Sequence, residues 1–325
     1  MRLAIIGGGS WGTALAIVLA PRFERVHLWV YEADLAERMR RTRENDVYLR
    51  GCTLPENVEI ATELGGAEIV LGVMPSRHAR RLYTSALPHF DPSTIFVSAT
   101  KGLEQGTLLR TSQVLGEVAP FKPRIAVLSG PTFALEVARG EPAAVVIASG
   151  DLSVAEQVQA AFSGPTFRLY TNSDTIGVEI GAALKNVIAI GAGVCQGLGL
   201  GNNTLAALIT RGLAEITRLA VAMGGQPKTL AGLAGLGDLV LTCSGDLSRN
   251  RKVGIELAKG RSLTEIVGSM PMIAEGVETC DAAVALGAKF GVDLPIIQQM
   301  HSVLHNAKSP REALRDLMER SLKGE

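Results

Sequence analysis

Three glycines with the spacing G-x-G-x-x-G, Gly7, Gly9 and Gly12 in GGGSWG, stand between the first apolar run and a helical pattern, TALAIVLA. The spacing suits a dinucleotide for backbone reasons. The first glycine makes the tight turn, the second lets a pyrophosphate approach the main chain, and the third lets helix pack closely on strand, while the helix N-terminus offers N–H groups and a positive dipole. Glu32 lies about 20 residues further on, where an acidic side chain can take a ribose 2′-hydroxyl and favour NAD. The arginines that follow, Arg38, Arg40, Arg41 and Arg43, could instead reach a 2′-phosphate. NAD and NADP therefore both stay open.

Lys185 and Asn186 interrupt an otherwise apolar, small-residue stretch, GVEIGAALKNVIAIGAGV. A lysine there either snorkels to water or sits in a site that lowers its pKa towards neutrality. In the second case, the one taken here, it exchanges a proton with an alcohol or a carbonyl oxygen. Further along, Asp238 stands in GLGDLVL and Ser248, Arg249, Asn250 and Arg251 open another helical pattern. Ser248 reads as an N-cap, and a capped helix start carrying Arg and Asn is a natural phosphate site, or else a solvated basic turn. Asp238 could orient Lys185 or a substrate hydroxyl, or merely cap a helix. Two more segments follow apolar runs: ATKGLE with Lys101, a reactive lysine or a solvated loop residue, and SGPTFALE with Gly130, Thr132 and Ala134, which reads as a helix opening at Pro131.

Histidine chemistry is not expected. His27, His78 and His89 stand alone, and His301 with His305 lacks the glutamate of a zinc-protease helix, so none is assigned a role and no metal is expected. Cys52, Cys195, Cys243 and Cys280 form no CxxC pair and read as reduced, buried thiols.

These residues need a scaffold. Runs at 2–6, 26–31, 67–73, 94–99, 124–129, 143–149 and 166–170 alternate with helical patterns, which predicts an α/β, Rossmann-like doubly wound sheet, mostly parallel. From about Ser173 the strand signal stops, and long helical patterns at 174–198 and 204–223 lead an all-α C-terminal region. The expected domains are a dinucleotide-binding domain, 1–174, and a helical substrate-binding and catalytic domain, 175–325. Among 325 residues, 32 basic side chains balance 32 acidic ones, so no global field recruits nucleic acid. Glycines end the first apolar run too early for a signal peptide, and no uninterrupted run of about 18 apolar residues exists. A protein with no membrane insertion, working in the cytoplasm, is expected.

With these segments in view, the chain resembles bacterial NAD(P)-dependent glycerol-3-phosphate dehydrogenase. GGGSWGTALA, SATKGLE, SGPTFALEVARG, GVEIGAALKNVIAIGAGVCQGLGLGNNTLAALITRGLAEI and GLGDLVLTC followed by SRNR stand in that family's order. The resemblance implies reduction of dihydroxyacetone phosphate to sn-glycerol 3-phosphate with NADH or NADPH, for phospholipid synthesis, by a homodimer. It implies nucleotide contacts from Ser10, Trp11, Lys101, Ala134, Arg249, Ile273 and Glu275. Substrate contacts fall to Lys101, Gly130, Thr132, Lys185, Asp238, Ser248, Arg249 and Asn250, with Lys185 the catalytic proton carrier. Many members have a basic residue near position 31 or 32, where this chain has Tyr31 and Glu32, and Asp where it has Asn202. Two other readings are a two-domain dehydrogenase acting on a sugar acid and a nucleotide sensor without turnover.

Overall fold

The computed structural model describes residues 1–61, 63, 65–270, 274–322 and 324. The chain divides into two compact units, one of Met1–Glu104 with Leu109–Glu179, the other of Gln105–Leu108 with Ile180–Glu325.

Among the first unit's described residues ten strands form in chain order: β1 Arg2–Ile6, β2 Arg25–Trp29, β3 Glu44–Asn45, β4 Leu49–Thr53, β5 Val58–Ala61, β6 Ile69–Gly72, β7 Ile95–Ser98, β8 Arg124–Ser129, β9 Ala143–Ala148 and β10 Phe167–Asn172. Eight of them make one sheet in the order β10-β9-β8-β7-β6-β1-β2-β5, and β3 pairs with β4 as a separate hairpin. All neighbours in the large sheet run parallel except β8 and β9, which are antiparallel with Leu128 opposite Ile147. The expected α/β class holds, and every predicted run carries a strand. The sequence reading missed β5 and the hairpin.

The central strands β1 and β6 to β9 are largely buried on both faces because helices cover both, whereas β2, β5 and β10 alternate buried with more exposed residues. α1 (Ser10–Leu19), α2 (Ala33–Thr42) and α6 (Leu152–Phe162) pack with Leu3, Ile5, Val26 and Leu28 on one side. On the other, α3 (Ser76–Ala86) and α4 (Thr111–Val118) pack with the alternate residues Ala4, Ile6, Val70 and Phe96. A short α5 (Ala134–Ala138) lies between β8 and β9. It starts three residues later than the sequence predicts. Thr132 turns its hydroxyl back onto the Gly130 carbonyl at 3.2 Å, and Phe133 stays extended at φ −91°, ψ 130°, so the helix opens at Ala134 rather than at Pro131.

Every regular element among the second unit's described residues is a helix. It holds most of α7 (Thr175–Gly197), then α8 (Asn202–Ala222), α9 (Pro227–Leu230), α10 (Asp238–Ser244), α11 (Arg249–Ala258), α12 (Leu263–Gly268), α13 (Glu275–Phe290), α14 (Pro295–His305) and α15 (Pro310–Met318). By length and composition α7 could cross a membrane, yet its most apolar window is wholly buried, as in a core helix. It crosses α11 at near backbone contact. A Cβ on Gly193 would meet the Arg251 carbonyl oxygen at 1.9 Å, and one on Gly254 the Ile190 carbonyl oxygen at 1.9 Å, so a side chain at either position would push the helices apart.

Candidate active site

The glycine loop has the geometry its spacing predicts. Gly7 adopts φ +126°, and a Cβ there would lie 2.5 Å from the Val73 carbonyl oxygen; at Gly12 it would lie 1.9 Å from the Gly7 oxygen. At Gly9 no atom stands within 4 Å of that position, so the main chain faces open space at the point where a pyrophosphate must approach. Gly9 caps α1 with no side chain on the first-turn N–H groups and no acidic residue in that turn, which leaves the positive end of the helix to an anion. Beside it the buried Nε1 of Trp11 has no hydrogen-bond partner among the described residues. A cradle of bare backbone, a helix N-terminus and an orphaned donor fit a dinucleotide.

The loop is braced by a residue the sequence did not single out. Asn45, fully buried in β3, donates through Nδ2 to the Gly8 carbonyl and to Thr13 Oγ1, both at 2.8 Å. The same hairpin supplies Tyr48, whose hydroxyl donates to Glu32 Oε1 at 2.8 Å. Glu32 is exposed at the N-cap of α2, three residues past β2, with its carboxylate held from one side.

Lys101, Gly130 and Thr132 meet beyond the carboxyl ends of the adjacent parallel strands β7 and β8, where ligands of doubly wound sheets bind. One carbonyl joins them: Gly130 O accepts from Lys101 Nζ at 3.3 Å and from Thr132 Oγ1 at 3.2 Å. Ser10 opens α1 and Ala134 opens α5.

In the helical unit Lys185 is 5% exposed and Asp238 0%. Lys185 Nζ donates to Asp238 Oδ1 at 2.5 Å and to Thr242 Oγ1 at 2.8 Å, and the Thr242 hydroxyl donates in turn to the Asp238 backbone carbonyl at 2.6 Å. A buried ammonium is tolerable only when paired and hydrogen-bonded, and this one is both. A π-helical turn, Leu233–Gly237, leads directly into Asp238, a distortion common beside functional groups. Burial pushes the thiol of Cys243, next to Thr242, up to about 12, although the nearby Lys185 charge pulls the other way.

The next residue of α7 builds the second half of the arrangement. Asn250 Nδ2 donates to Asn186 Oδ1 at 3.0 Å, and Asn250 Oδ1 accepts from Gly276 N at 2.9 Å, which ties α7, α11 and the start of α13 together. Ser248 caps α11 as predicted, accepting from Arg251 N at 3.2 Å. Arg249, the first residue of that helix, has its guanidinium pKa lowered by burial, a cost only partly offset by Glu275. Among the described residues it makes no hydrogen bond or ion pair. A partly buried guanidinium at a helix N-terminus can receive an oxyanion. Glu275 opens α13; Ile273 lies outside the described residues.

The comparisons with known proteins follow this geometry. The family model for the N-terminus of NAD-dependent glycerol-3-phosphate dehydrogenase matches residues 2–155, and the model for its C-terminus matches 174–315. The chain belongs to this family. It is 56% identical to a glycerol-3-phosphate dehydrogenase [NAD(P)+] of Koribacter versatilis (strain Ellin345), covering 98% of this chain and 97% of that one. It is 52% identical to the one from Geobacter sp. (strain M21), covering 100% and 98%. Among solved structures it is similar to glycerol-3-phosphate dehydrogenase from Coxiella burnetii, with 39% identity, a TM-score of 0.93, and 98% and 99% of the two chains covered. The likeness to D-mandelate dehydrogenase, 12% identical at a TM-score of 0.62, is one of fold alone.

Within this glycerol-3-phosphate dehydrogenase family member, the sequence reading passed over Thr242 and Asn45, and it named Asn250 without foreseeing its bond to Asn186. Thr242 had a legible signal, since it stands four residues after Asp238 and shares its helical face. Asn45 had none: a fully buried asparagine in a two-residue strand looks like any loop asparagine.

Proposed function

We propose that the chain reduces dihydroxyacetone phosphate to sn-glycerol 3-phosphate, reversibly, with NADH or NADPH, and that Lys185 carries the proton. The glycerol 3-phosphate so formed feeds glycerophospholipid synthesis. The observation that carries this assignment is the Lys185 ammonium held between Asp238 and Thr242 with almost no access to water.

A bound nicotinamide supplies or receives the hydride at C2. Everything else falls to side chains. Lys185 donates an N–H to the C2 carbonyl oxygen, polarises it, and gives up a proton as the alcohol forms; in the oxidative direction the neutral amine takes that proton back. Asp238 stabilises the ammonium and, with Thr242, fixes where Nζ points. Arg249, Asn250, Ser248 and the start of α11 hold the substrate phosphate, so binding energy remote from the reacting carbon fixes its position. Lys101, Gly130 and Thr132 complete the substrate site.

For the nucleotide, Gly7, Gly9, Ser10, Trp11 and Gly12 cradle the pyrophosphate and Glu32 takes a ribose hydroxyl. Lys101, Ala134, Arg249, Ile273 and Glu275 make the remaining contacts. In this reading residues 1–174 are the dinucleotide domain and 175–325 the substrate domain, and the enzyme works as a homodimer in the cytoplasm. The test is absorbance at 340 nm on mixing with dihydroxyacetone phosphate, run in parallel with NADH and NADPH. Decay with either nucleotide is expected. Nucleotide binding without decay would overturn the substrate assignment.

A further inference from the structure

We infer that Asp281, His301 and His305 form a binding site for a borderline-soft divalent cation, Zn²⁺ first, on the α13–α14 pair. The three are used by nothing in the reaction. Nε2 of His301 and Nε2 of His305 each lie 3.2 Å from the same atom, Asp281 Oδ1, and one ligand atom from each residue falls within 4.8 Å of the other two. Metal bonds of about 2.0–2.1 Å at a tetrahedral centre put neighbouring ligand atoms roughly 3.3–3.4 Å apart. The two histidine–aspartate separations therefore match a shared ion, and the histidine nitrogens, within 4.8 Å of each other, need at most a modest approach.

Sequence and packing explain why the geometry is preset. His301 and His305 stand four apart on α14 and so project from one face, one turn above the other. Their rings lie 5.0 Å apart, centroid to centroid. The helix that carries them is anchored at its start, where Glu215 accepts from Ile296 N at 2.7 Å and from Ile297 N at 3.2 Å. Asp281 comes from the neighbouring α13, and the preceding residue, Cys280, is buried with its Sγ 3.7 Å from the Ile297 carbonyl. Both backbones are thus held before any ion arrives.

Charge and exposure suit a cation. Both histidines stand at ion-pair distance from the one Asp281 oxygen, so the three groups already converge on a single point that a cation can take over. Side-chain exposure of 29% for each histidine and 49% for the aspartate leaves a path from solvent and a position for water as a further ligand. Two imidazoles and one carboxylate select Zn²⁺, Ni²⁺ or Cu²⁺ over Mg²⁺ and Ca²⁺, which prefer all-oxygen shells. The absence of an HExxH glutamate, which rules out protease chemistry, says nothing against a structural clamp joining α13 to α14.

Calorimetric titration of the full-length, tag-free, EDTA-treated chain with ZnCl₂ alone tests this. One ion per chain is expected, with a higher Tm on saturation, and no binding of MgCl₂ at the same concentration. His301→Gln and His305→Gln should each weaken Zn²⁺ binding at least about tenfold, and Asp281→Asn should weaken it too. The surface positions let all three variants fold, which their unchanged metal-free Tm verifies. Zn²⁺ bound with wild-type affinity by either histidine variant, as binding at the four thiols would give, overturns the site; so does a stoichiometry well below one.

Discussion

Lys185 Nζ and Asp238 Oδ1 stand 2.5 Å apart although 53 residues separate them in sequence, and neither side chain reaches water to any useful extent. Removing either partner strands a buried charge, which costs about 3–5 kcal/mol or drives the group left behind to its neutral form; removing the lysine also deletes the proton carrier. Lys185→Ala should lower kcat by about 10²–10⁴-fold, with nucleotide binding little changed. Asp238→Asn should lower kcat as well and should also move the pH profile, because the amide no longer stabilises the ammonium. The assay is steady-state kinetics from pH 6 to 10 alongside nucleotide fluorescence titration. Wild-type turnover in Lys185→Ala would falsify the assignment.

Arg249 presents a different arrangement, a charge whose burial Glu275 offsets only in part and which makes no hydrogen bond or ion pair among the described residues. Its contribution should appear when a phosphate dianion binds, so Arg249→Ala should raise KM for dihydroxyacetone phosphate by about 10- to 100-fold with a smaller effect on kcat. Arg249→Lys should recover little, since an ammonium cannot reproduce the bidentate fork. A KM equal to wild type in the alanine variant would move the phosphate site away from the start of α11.

How much of this could be read from the sequence depended on whether a residue's role is local. The glycine loop was legible because Gly7 and Gly12 answer backbone requirements that no other residue meets. The central strands were legible as continuous Val, Ile and Leu runs, which two covered faces demand. The edge strand β5 was not, because its exposed Glu59 and four-residue length resemble a loop. Lys185 announced itself as an ammonium among alanines and glycines. Thr242 showed itself only through its spacing from Asp238, and its contact with Lys185, like that of Asn45 with the Gly8 carbonyl, exists only in three dimensions.

Glu32 gives the nucleotide preference a handle. Tyr48 holds one carboxylate oxygen at 2.8 Å, so the charge stays near the end of β2 rather than sweeping through solvent. A 2′-phosphate placed there meets like charge, while a 2′-hydroxyl gains an acceptor. Glu32→Gln should raise the ratio of kcat/KM for NADPH over NADH by about tenfold, and Tyr48→Phe should raise it less. The check is parallel kinetics with both nucleotides at fixed ionic strength; an unchanged ratio in Glu32→Gln would take the residue out of the nucleotide site.

Glu215 makes the stability of the helical unit depend on pH in the direction opposite to a salt-bridged carboxylate. Burial pushes its carboxyl up from the ordinary 4.5 to about 7, against the Ile296 and Ile297 N–H groups and Arg218, which favour the charged form; Asp293 works with burial. The native chain therefore holds this proton more tightly than the unfolded chain does. Below about pH 4.5 both states carry it and the contribution is full. Between about 4.5 and 7 the unfolded state releases it first, and stability falls by an amount on the order of 3 kcal/mol, complete above the native value. Glu215→Gln cannot ionise, and its amide group faces a backbone donor it cannot accept from, so the variant is less stable throughout. Its deficit relative to wild type should shrink as pH rises from 5 to 8, because only wild type loses the proton-linked term. Urea unfolding of both proteins across that range isolates this residue from every other titrating group, and a deficit independent of pH would show that Glu215 keeps its charge in the fold.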